Sequence, residues 1–175
     1  MSQKRHIFLT GFMGAGKTSV GRELSGKLRM DFYDLDSEVE RAEGLSVTGI
    51  FEAEGEESFR KKETDMLAAL SRKTPPVVIS TGGGAVLRQR NREIMAASGE
   101  VFYLRADIDT LWNRVRSEKG RPLLDVKDPR AEFYELFMKR KNIYELSPYV
   151  VLTDDMSVSE VADKVIGMLK GNWRL

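Results

Sequence analysis

The sequence predicts an α/β fold in which a parallel β-sheet lies between two layers of helices. Three observations predict it: short apolar runs recur along the chain, helical patterns separate them, and a glycine-rich loop follows the first run. Continuously apolar runs are typical of strands buried on both faces, as in a parallel sheet. Alternating strand and helix patterns favour parallel pairing. Because the chain has 175 residues, we expect a single domain spanning 1–175.

Five segments are predicted to form the strands of this sheet. They are His6–Thr10, Asp31–Asp36, Val77–Ser80, Val101–Leu104 and Tyr149–Leu152. Between the second and third lie residues of helical character, Ser37 to Arg72, more than a single crossover needs. We expect residues of about 37–72 to form an inserted substrate-binding module. Later helices have clear starts, because Asp128-Pro129 places an N-cap before a proline and Ser157 to Glu160 form a capping box.

Composition narrows the class of partner. The chain has 28 basic and 27 acidic residues, so no global field favours nucleic acid or an anionic membrane. It contains no cysteine and no apolar run long enough to span a bilayer. We therefore expect a cytoplasmic protein that acts on a small molecule.

The loop from Gly11 to Thr18 fits the P-loop pattern, in which a glycine and four free positions precede Gly-Lys-Thr. Glycines let successive backbone N–H groups point at phosphate oxygens, and the next helix adds its positive N-terminal end. Lys17 would reach the β- and γ-phosphates of ATP, and the Thr18 hydroxyl would ligate Mg²⁺. The expected nucleotide contacts are Gly14, Ala15, Gly16, Lys17, Thr18 and Ser19.

Two aspartates, Asp34 and Asp36, end the second predicted strand. They have an ordinary interpretation, because Ser37 to Glu40 form a capping box and acids before a helix stabilise its start. A functional interpretation gains support from the third strand, which ends in Ser80 without the aspartate that many NTPases use for Mg²⁺. Asp34 could then hold the metal through water while Asp36 accepts a proton from an attacking hydroxyl. That division of roles predicts a kinase.

Two further segments are candidates for ligand contact. Gly82, Gly83 and Gly84 follow the third strand, where they permit close approach of a ligand to the backbone, or else form a flexible turn. A basic run leads through Arg121 into a segment punctuated by glycine and proline, at about 116–128. We expect a mobile lid whose arginine neutralises charge on the transferring phosphoryl group; a solvated loop is the alternative.

Together these motifs resemble the shikimate kinases. The resemblance rests on the Gly-x-x-Gly-x-Gly-Lys-Thr loop, the Asp-x-Asp pair, a Phe-Arg-x-x-Glu segment at Phe59 to Glu63, the triple glycine and an Arg-Pro-Leu-Leu lid; it spans residues 7 to 153. It implies a three-layer P-loop kinase fold like that of nucleoside monophosphate kinases, with sheet order 2-3-1-4-5. It also implies transfer of the ATP γ-phosphate to the 3-hydroxyl of shikimate. Separately, we expect the protein to be a monomer.

The same resemblance implies roles for individual residues. Asp36 would hold the shikimate hydroxyls, and Arg60 and Arg140 would bind its carboxylate. Arg121 would close over the phosphates as a catalytic group beside Lys17 and Asp36. The remaining implied contacts are a ring lined by Gly82, Gly83 and Gly84, pocket walls at Phe51 and Phe59, and an adenine site at Arg114 and around Asp154.

Two other functions remain open at this point. A kinase for gluconate or another small polyol acid would share the P-loop and would also recognise a carboxylate. A nucleotide-binding switch module would carry an Asp-x-x-Gly segment and an Asn-Lys-x-Asp base reader, and neither string occurs in the chain.

Overall fold

A five-stranded sheet with parallel pairings is the centre of the computed structural model, which describes residues 5–116 and 126–170. In chain order the strands are β1 (His6–Thr10), β2 (Phe32–Asp34), β3 (Val78–Ser80), β4 (Gly99–Arg105) and β5 (Tyr149–Leu152). They lie in the order β2-β3-β1-β4-β5, which confirms the predicted fold class and strand order. Since β1 is central, the phosphate loop that follows it lies at the middle of the sheet's carboxyl edge.

Helices cover both faces of this sheet. Within the described residues they are α1 (Lys17–Leu28), α2 (Leu35–Glu43), α3 (Val47–Glu54), α4 (Glu56–Leu70), α5 (Gln89–Ser98), α6 (Ile108–Val115), α7 (Pro129–Tyr144) and α8 (Val158–Lys170), with a short 3₁₀ turn at Ala85–Leu87.

Two predicted helix starts are confirmed. The Asp128 carboxylate accepts a hydrogen bond from Ala131 N at 3.0 Å, which caps α7. The Ser157 hydroxyl accepts from Glu160 N at 3.3 Å while Glu160 accepts from Ser157 N at 2.8 Å, as a capping box requires.

The second strand ends earlier than predicted. It stops at Asp34, and α2 begins at Leu35, so the prediction that the strand continues to Asp36 is wrong. The predicted capping box at Ser37 to Glu40 is also wrong, because Asp34 Oδ1 accepts from Ser37 N at 3.3 Å and is itself the cap. The physical reason is that an aspartate can satisfy a free helical N–H at the point where Leu35 turns into the core. Asp36 therefore lies on the first turn of α2.

Burial follows position in the sheet. Every residue of β1 and β3 is buried, as predicted for strands covered on both faces. In β5, however, Val150 and Leu152 are 38% and 52% exposed, so the prediction of a strand buried on both faces is wrong there. An edge strand has one neighbouring strand, and α8 packs on the sheet with an inward stripe of Val161, Ala162, Val165 and Leu169.

Three helices, α2 to α4, occupy the stretch between β2 and β3. They share a small second core in which Val39, Ile50 and Phe59 are buried together. That this stretch is a substrate-binding insertion stays a prediction. The predicted lid lies largely within 117–125, which are outside the described residues, and so does Arg121. Within 5–116 and 126–170, no helix has the length and apolar character needed to cross a membrane.

Candidate active site

The carboxyl edge of the sheet opens into a cavity of about 500 Å³. Parallel α/β sheets bind ligands at this edge, where the strands end and helices begin. The cavity brings together most of the residues predicted to act: Gly14, Gly16, Lys17, Thr18, Ser19, Asp34, Asp36, Gly82, Gly83 and Arg114. Met13, Ser80 and Thr81 line it as well, although no role was predicted for them.

The phosphate loop adopts the backbone that its glycines permit. Gly14 and Gly16 have φ angles of 81° and 82°, in the left-handed region that side chains other than glycine disfavour. A Cβ at Gly14 would also lie 2.9 Å from Leu111 O, so α6 holds the loop closely. Ala15 is buried, and its N–H donates to Phe12 O at 3.2 Å. The loop therefore leads into the N-terminus of α1 as a curved chain of amides suited to an anion.

Lys17 lies over this loop at the start of α1. Its Nζ donates to Gly11 O at 2.9 Å and to Phe12 O at 3.0 Å, so the ammonium is held beside the loop backbone. A positive charge in this position can contact the phosphates of a bound nucleotide.

Thr18 and Asp34 form the candidate metal site. The Thr18 hydroxyl donates to Asp34 Oδ2 at 2.7 Å, which joins α1 to the end of β2. Hydroxyl and carboxylate oxygens are hard ligands of the kind that Mg²⁺ prefers, and Mg²⁺ commonly keeps waters and binds substrate phosphates. No group of three or more histidine or acidic side chains is placed to hold a metal by itself in the described part of the chain. The pair therefore fits a metal shared with a nucleotide.

Asp36 has a buried oxygen, Oδ1, without a hydrogen-bond partner among the described residues. The pKa of this carboxyl is raised to about 6, first by burial and then by the nearby Asp34, while Lys17 and Arg60 oppose the shift. The carboxyl group lies against the glycine loop, since a Cβ at Gly82 would be 2.5 Å from Asp36 Oδ1. Asp36 is thus poised to accept a hydrogen bond or a proton from a ligand hydroxyl.

Arg60 is buried in α4 and held by two acids. Its Nη1 donates to both oxygens of Glu63 at 3.1 Å, and its Nη2 donates to Glu56 at 3.2 Å. Glu63 is fully buried. Its pKa is raised to about 7, mainly by burial and also by Asp36, while Arg60 opposes the shift. The guanidinium lies against Gly84, where a Cβ would be 2.5 Å from Arg60 Cζ. Glu63 had no predicted role, although its position three residues after Arg60 on a helix is the signal that could have indicated one.

Arg140 is buried on the inward face of α7, while its neighbour Lys139 is exposed and pairs with Glu135 at 2.5 Å. The register of the helix therefore points the predicted arginine inward. The Arg140 guanidinium interacts electrostatically with the Tyr144 hydroxyl, which donates a hydrogen bond to the carbonyl of Gly83. Arg60 and Arg140 reach the glycine loop, the first directly and the second through Tyr144, but neither lines the cavity as described.

The other predicted contacts are distributed around the cavity. Arg114 lines it and donates to Gly14 O at 3.2 Å and to Thr153 O at 3.3 Å, so it joins the phosphate loop to the loop after β5. Asp154 instead lines a neighbouring cavity of about 310 Å³ and accepts from Asp107 N at 3.0 Å.

Phe51 and Phe59 are also outside the main cavity. Their rings pack together at 5.1 Å in the second core, and Arg60 Cζ lies 5.2 Å from the Phe59 ring. In this arrangement they support Arg60.

Comparison with known proteins decides the family. A model of the shikimate kinase family matches residues 13–170. A shikimate kinase from Nitrosospira multiformis is 49% identical over 147 residues, or 84% of this chain and 75% of that protein. Shikimate kinase 1 from Yersinia pestis is 41% identical over 174 residues, covering 98% of this chain and 100% of its own. The chain belongs to the shikimate kinase family.

A solved structure agrees with this assignment. Shikimate kinase from Acinetobacter baumannii, in complex with shikimate, covers 98% of this chain and 96% of its own, at 37% identity and with a TM-score of 0.92. Membership of the shikimate kinase family makes the protein an ATP-dependent kinase with an alcohol acceptor, which confirms the predicted class of enzyme. The alternative of a nucleotide-binding switch module is wrong.

Proposed function

We propose that the protein transfers the γ-phosphoryl group of ATP to the 3-hydroxyl of shikimate, giving shikimate 3-phosphate and ADP in aromatic amino acid biosynthesis. One observation carries the proposal: a single cavity is lined both by the phosphate loop, with Lys17 and Thr18, and by Asp36. The free oxygen of Asp36 can accept a hydrogen bond from a substrate hydroxyl. The family relatives support shikimate as the acceptor.

On the nucleotide side, the chain supplies mainly electrostatic stabilisation. Backbone N–H groups of the loop and the Lys17 ammonium bind the β- and γ-phosphates, where negative charge is concentrated during transfer. Thr18 and Asp34 would hold Mg²⁺, which would neutralise negative charge on the phosphates. Arg114 and the loop around Asp154 contact the adenine.

On the acceptor side, Asp36 orients the attacking hydroxyl and accepts its proton. Its raised pKa suits this role, because a base that titrates near the working pH is ionised there and still takes up a proton readily. Gly82 to Gly84 line the shikimate ring, and their lack of side chains leaves room for it.

Arg60 and Arg140 bind the shikimate carboxylate, since a guanidinium offers two parallel donors to that planar group. Arg60 is already oriented by Glu63, with Phe59 beside its guanidinium and Phe51 packed on Phe59, so little freedom is lost when the acceptor binds. A catalytic Arg121 on a closing lid completes the proposal, on the evidence of the sequence alone.

The acceptor is tested in a coupled assay for ADP with shikimate, gluconate and quinate as separate substrates. We expect turnover with shikimate at a kcat/KM well above the other two. Lys17→Ala, checked for its fold by circular dichroism, should lose turnover because the positive charge that binds the phosphates is removed. Preferred use of gluconate would transfer the proposal to the second kinase class, and a Lys17→Ala enzyme of normal kcat would contradict the nucleotide site.

A monomeric state and a cytoplasmic location remain predictions from the sequence. Sedimentation velocity at micromolar protein, with and without ATP and shikimate, measures the first; a concentration-dependent dimer would contradict it.

A further inference from the structure

Tyr144, the last residue of α7, connects three parts of the active site without lining its cavity. Its side chain is 1% exposed. The hydroxyl donates to the Gly83 carbonyl. It also interacts electrostatically with Arg140, which lies one helical turn earlier on the same face. Burial raises the pKa of Tyr144 far above neutrality, so the phenol keeps its proton for the Gly83 carbonyl.

The ring of Tyr144 is held on two sides. It stacks on Tyr103 of β4 with ring centroids 5.3 Å apart and planes 16° from parallel. It also meets Phe12 of the phosphate loop edge to face at 6.3 Å. Aromatic pairs in these geometries gain energy beyond the area they bury. With the ring fixed, the direction of the hydroxyl is fixed as well.

We propose that Tyr144 is a positioning residue for the acceptor. Its hydroxyl holds the Arg140 guanidinium and the backbone of the glycine loop in fixed positions relative to each other. The groups that contact the carboxylate and the ring are therefore in place before shikimate binds. A long arginine that is oriented in advance loses less rotamer freedom on binding. The inference rests on the proposed roles of Arg140 and the glycine loop.

The test separates the hydroxyl from the ring. Tyr144→Phe keeps the packing against Tyr103 and Phe12 but removes the hydrogen bond to Gly83 and the polar group that faces Arg140. We expect the KM for shikimate to rise about tenfold, which is the lower end for losing one polar contact to a charged group. The kcat should change little, and the KM for ATP should stay at the wild-type value. Tyr103→Phe is the matched control, because it removes a hydroxyl from the partner ring and should leave the KM for shikimate unchanged.

A double-mutant cycle then asks whether Tyr144 acts through Arg140. Interacting groups give non-additive effects, whereas independent groups add. In an Arg140→Ala background, Tyr144→Phe should raise the KM for shikimate much less than it does alone. Full additivity would overturn the proposal, as would a Tyr144→Phe enzyme with normal KM and only a lower urea midpoint. Equal rises in both KM values, or loss of the fold, would show a general structural role and overturn it too.

Activity of the wild-type enzyme with shikimate distinguishes failure of the proposed function from failure of the positioning role. If it does not phosphorylate shikimate, the proposed function fails and this role with it. If it does, and Tyr144→Phe is indistinguishable from it, the positioning role alone fails.

Discussion

Asp34 and Asp36 lie two residues apart but contact different parts of the active site. Asp34 ends β2 and caps α2 while it accepts from Thr18, so the capping and metal interpretations of this residue are compatible. Asp36, on the first helical turn, has its free oxygen against Gly82. Local patterns could not place it there, because the point where the strand ends is set by the burial of Leu35.

The first prediction concerns Asp36 as a general base. Asp36→Asn should lower kcat by about 10²–10⁴, the usual contribution of such a group, while the affinity for Mg-ATP is kept. In the wild type, kcat/KM for shikimate should fall below about pH 6, because the carboxyl then takes up a proton and cannot accept another. The pH profile of both enzymes checks this. A wild-type profile that is flat from pH 5 to 8, or an Asp36→Asn enzyme of normal kcat, would leave Asp36 as a structural residue.

The second prediction compares two acids that contact the same guanidinium. Glu63 is fully buried, while the Glu56 side chain is 51% exposed. At pH 8, where the Glu63 carboxyl is ionised, Glu63→Gln should raise the KM for shikimate about tenfold, because Arg60 loses the charge that orients it in a dry site. Glu56→Gln should change it less than twofold, since exposed ion pairs contribute little. Equal effects of the two substitutions, measured as the ratio of their KM values, would contradict a special role for Glu63.

In the glycine loop after β3, the three consecutive glycines have different surroundings. A Cβ at Gly82 would meet Asp36, and one at Gly84 would meet Arg60, whereas one at Gly83 would find its nearest atoms at 3.8 Å, which is ordinary contact. The sequence predicted close approach of a ligand to this loop. It could not predict that the two outer glycines also accommodate the side chains of Asp36 and Arg60, because those come from α2 and α4.

The third prediction uses that difference. Gly84→Ala should raise the KM for shikimate by tenfold or more, because the new methyl group displaces the Arg60 guanidinium, while the KM for ATP stays close to normal. Gly83→Ala, in the same loop, should have a smaller effect because its methyl group has room. Steady-state KM values for both substrates decide the matter, and a larger effect at Gly83 than at Gly84 would contradict this account.

In helix α7, the helical spacing of apolar residues accounts for some of the buried side chains but not for their long-range hydrogen bonds. The apolar positions Phe133, Phe137 and Tyr144 are buried on one face, and Arg140 lies on that face at helical spacing. From the sequence the assignment of Arg140 was open to a one-residue slip to Lys139 or Lys141, and the structure places Arg140 inward. The hydrogen bond of Tyr144 is different: it joins this helix to a loop more than sixty positions away in sequence, and no local pattern carries that information.

At the scale of the whole molecule, the sheet order explains why the site works as a unit. Central β1 delivers the phosphate loop, β2 and α2 on one side deliver Asp34 and Asp36, and α7 delivers Arg140 from the other side. Strand number and parallel pairing followed from apolar runs, but the order 2-3-1-4-5 came from the resemblance to shikimate kinases, since long-range pairing leaves little trace in local pattern. The exposure of β5 followed from its place at the edge, which the apolar run could not indicate.

The last prediction concerns the stability of the whole fold. Asp36 has a pKa of about 6 in the folded protein and 3.8 as its ordinary value, so the folded state binds more protons than the unfolded state between those limits. The free energy of unfolding contributed by this group therefore falls as pH rises through that window, and above about pH 6 the buried charge costs its full amount. Asn carries no charge at any of these pH values. Asp36→Asn should consequently be more stable than the wild type at pH 8, on the order of 1–2 kcal/mol, although it is nearly inactive. The gain should shrink as pH falls towards 4, where the folded wild type has taken up its proton.

Urea unfolding of both proteins at pH 8 and pH 4.5, without nucleotide or metal, measures the difference directly. A variant that is less stable than the wild type at pH 8, or a gain that grows on acidification, would mean that Asp36 stabilises the fold and that its free oxygen carries no cost.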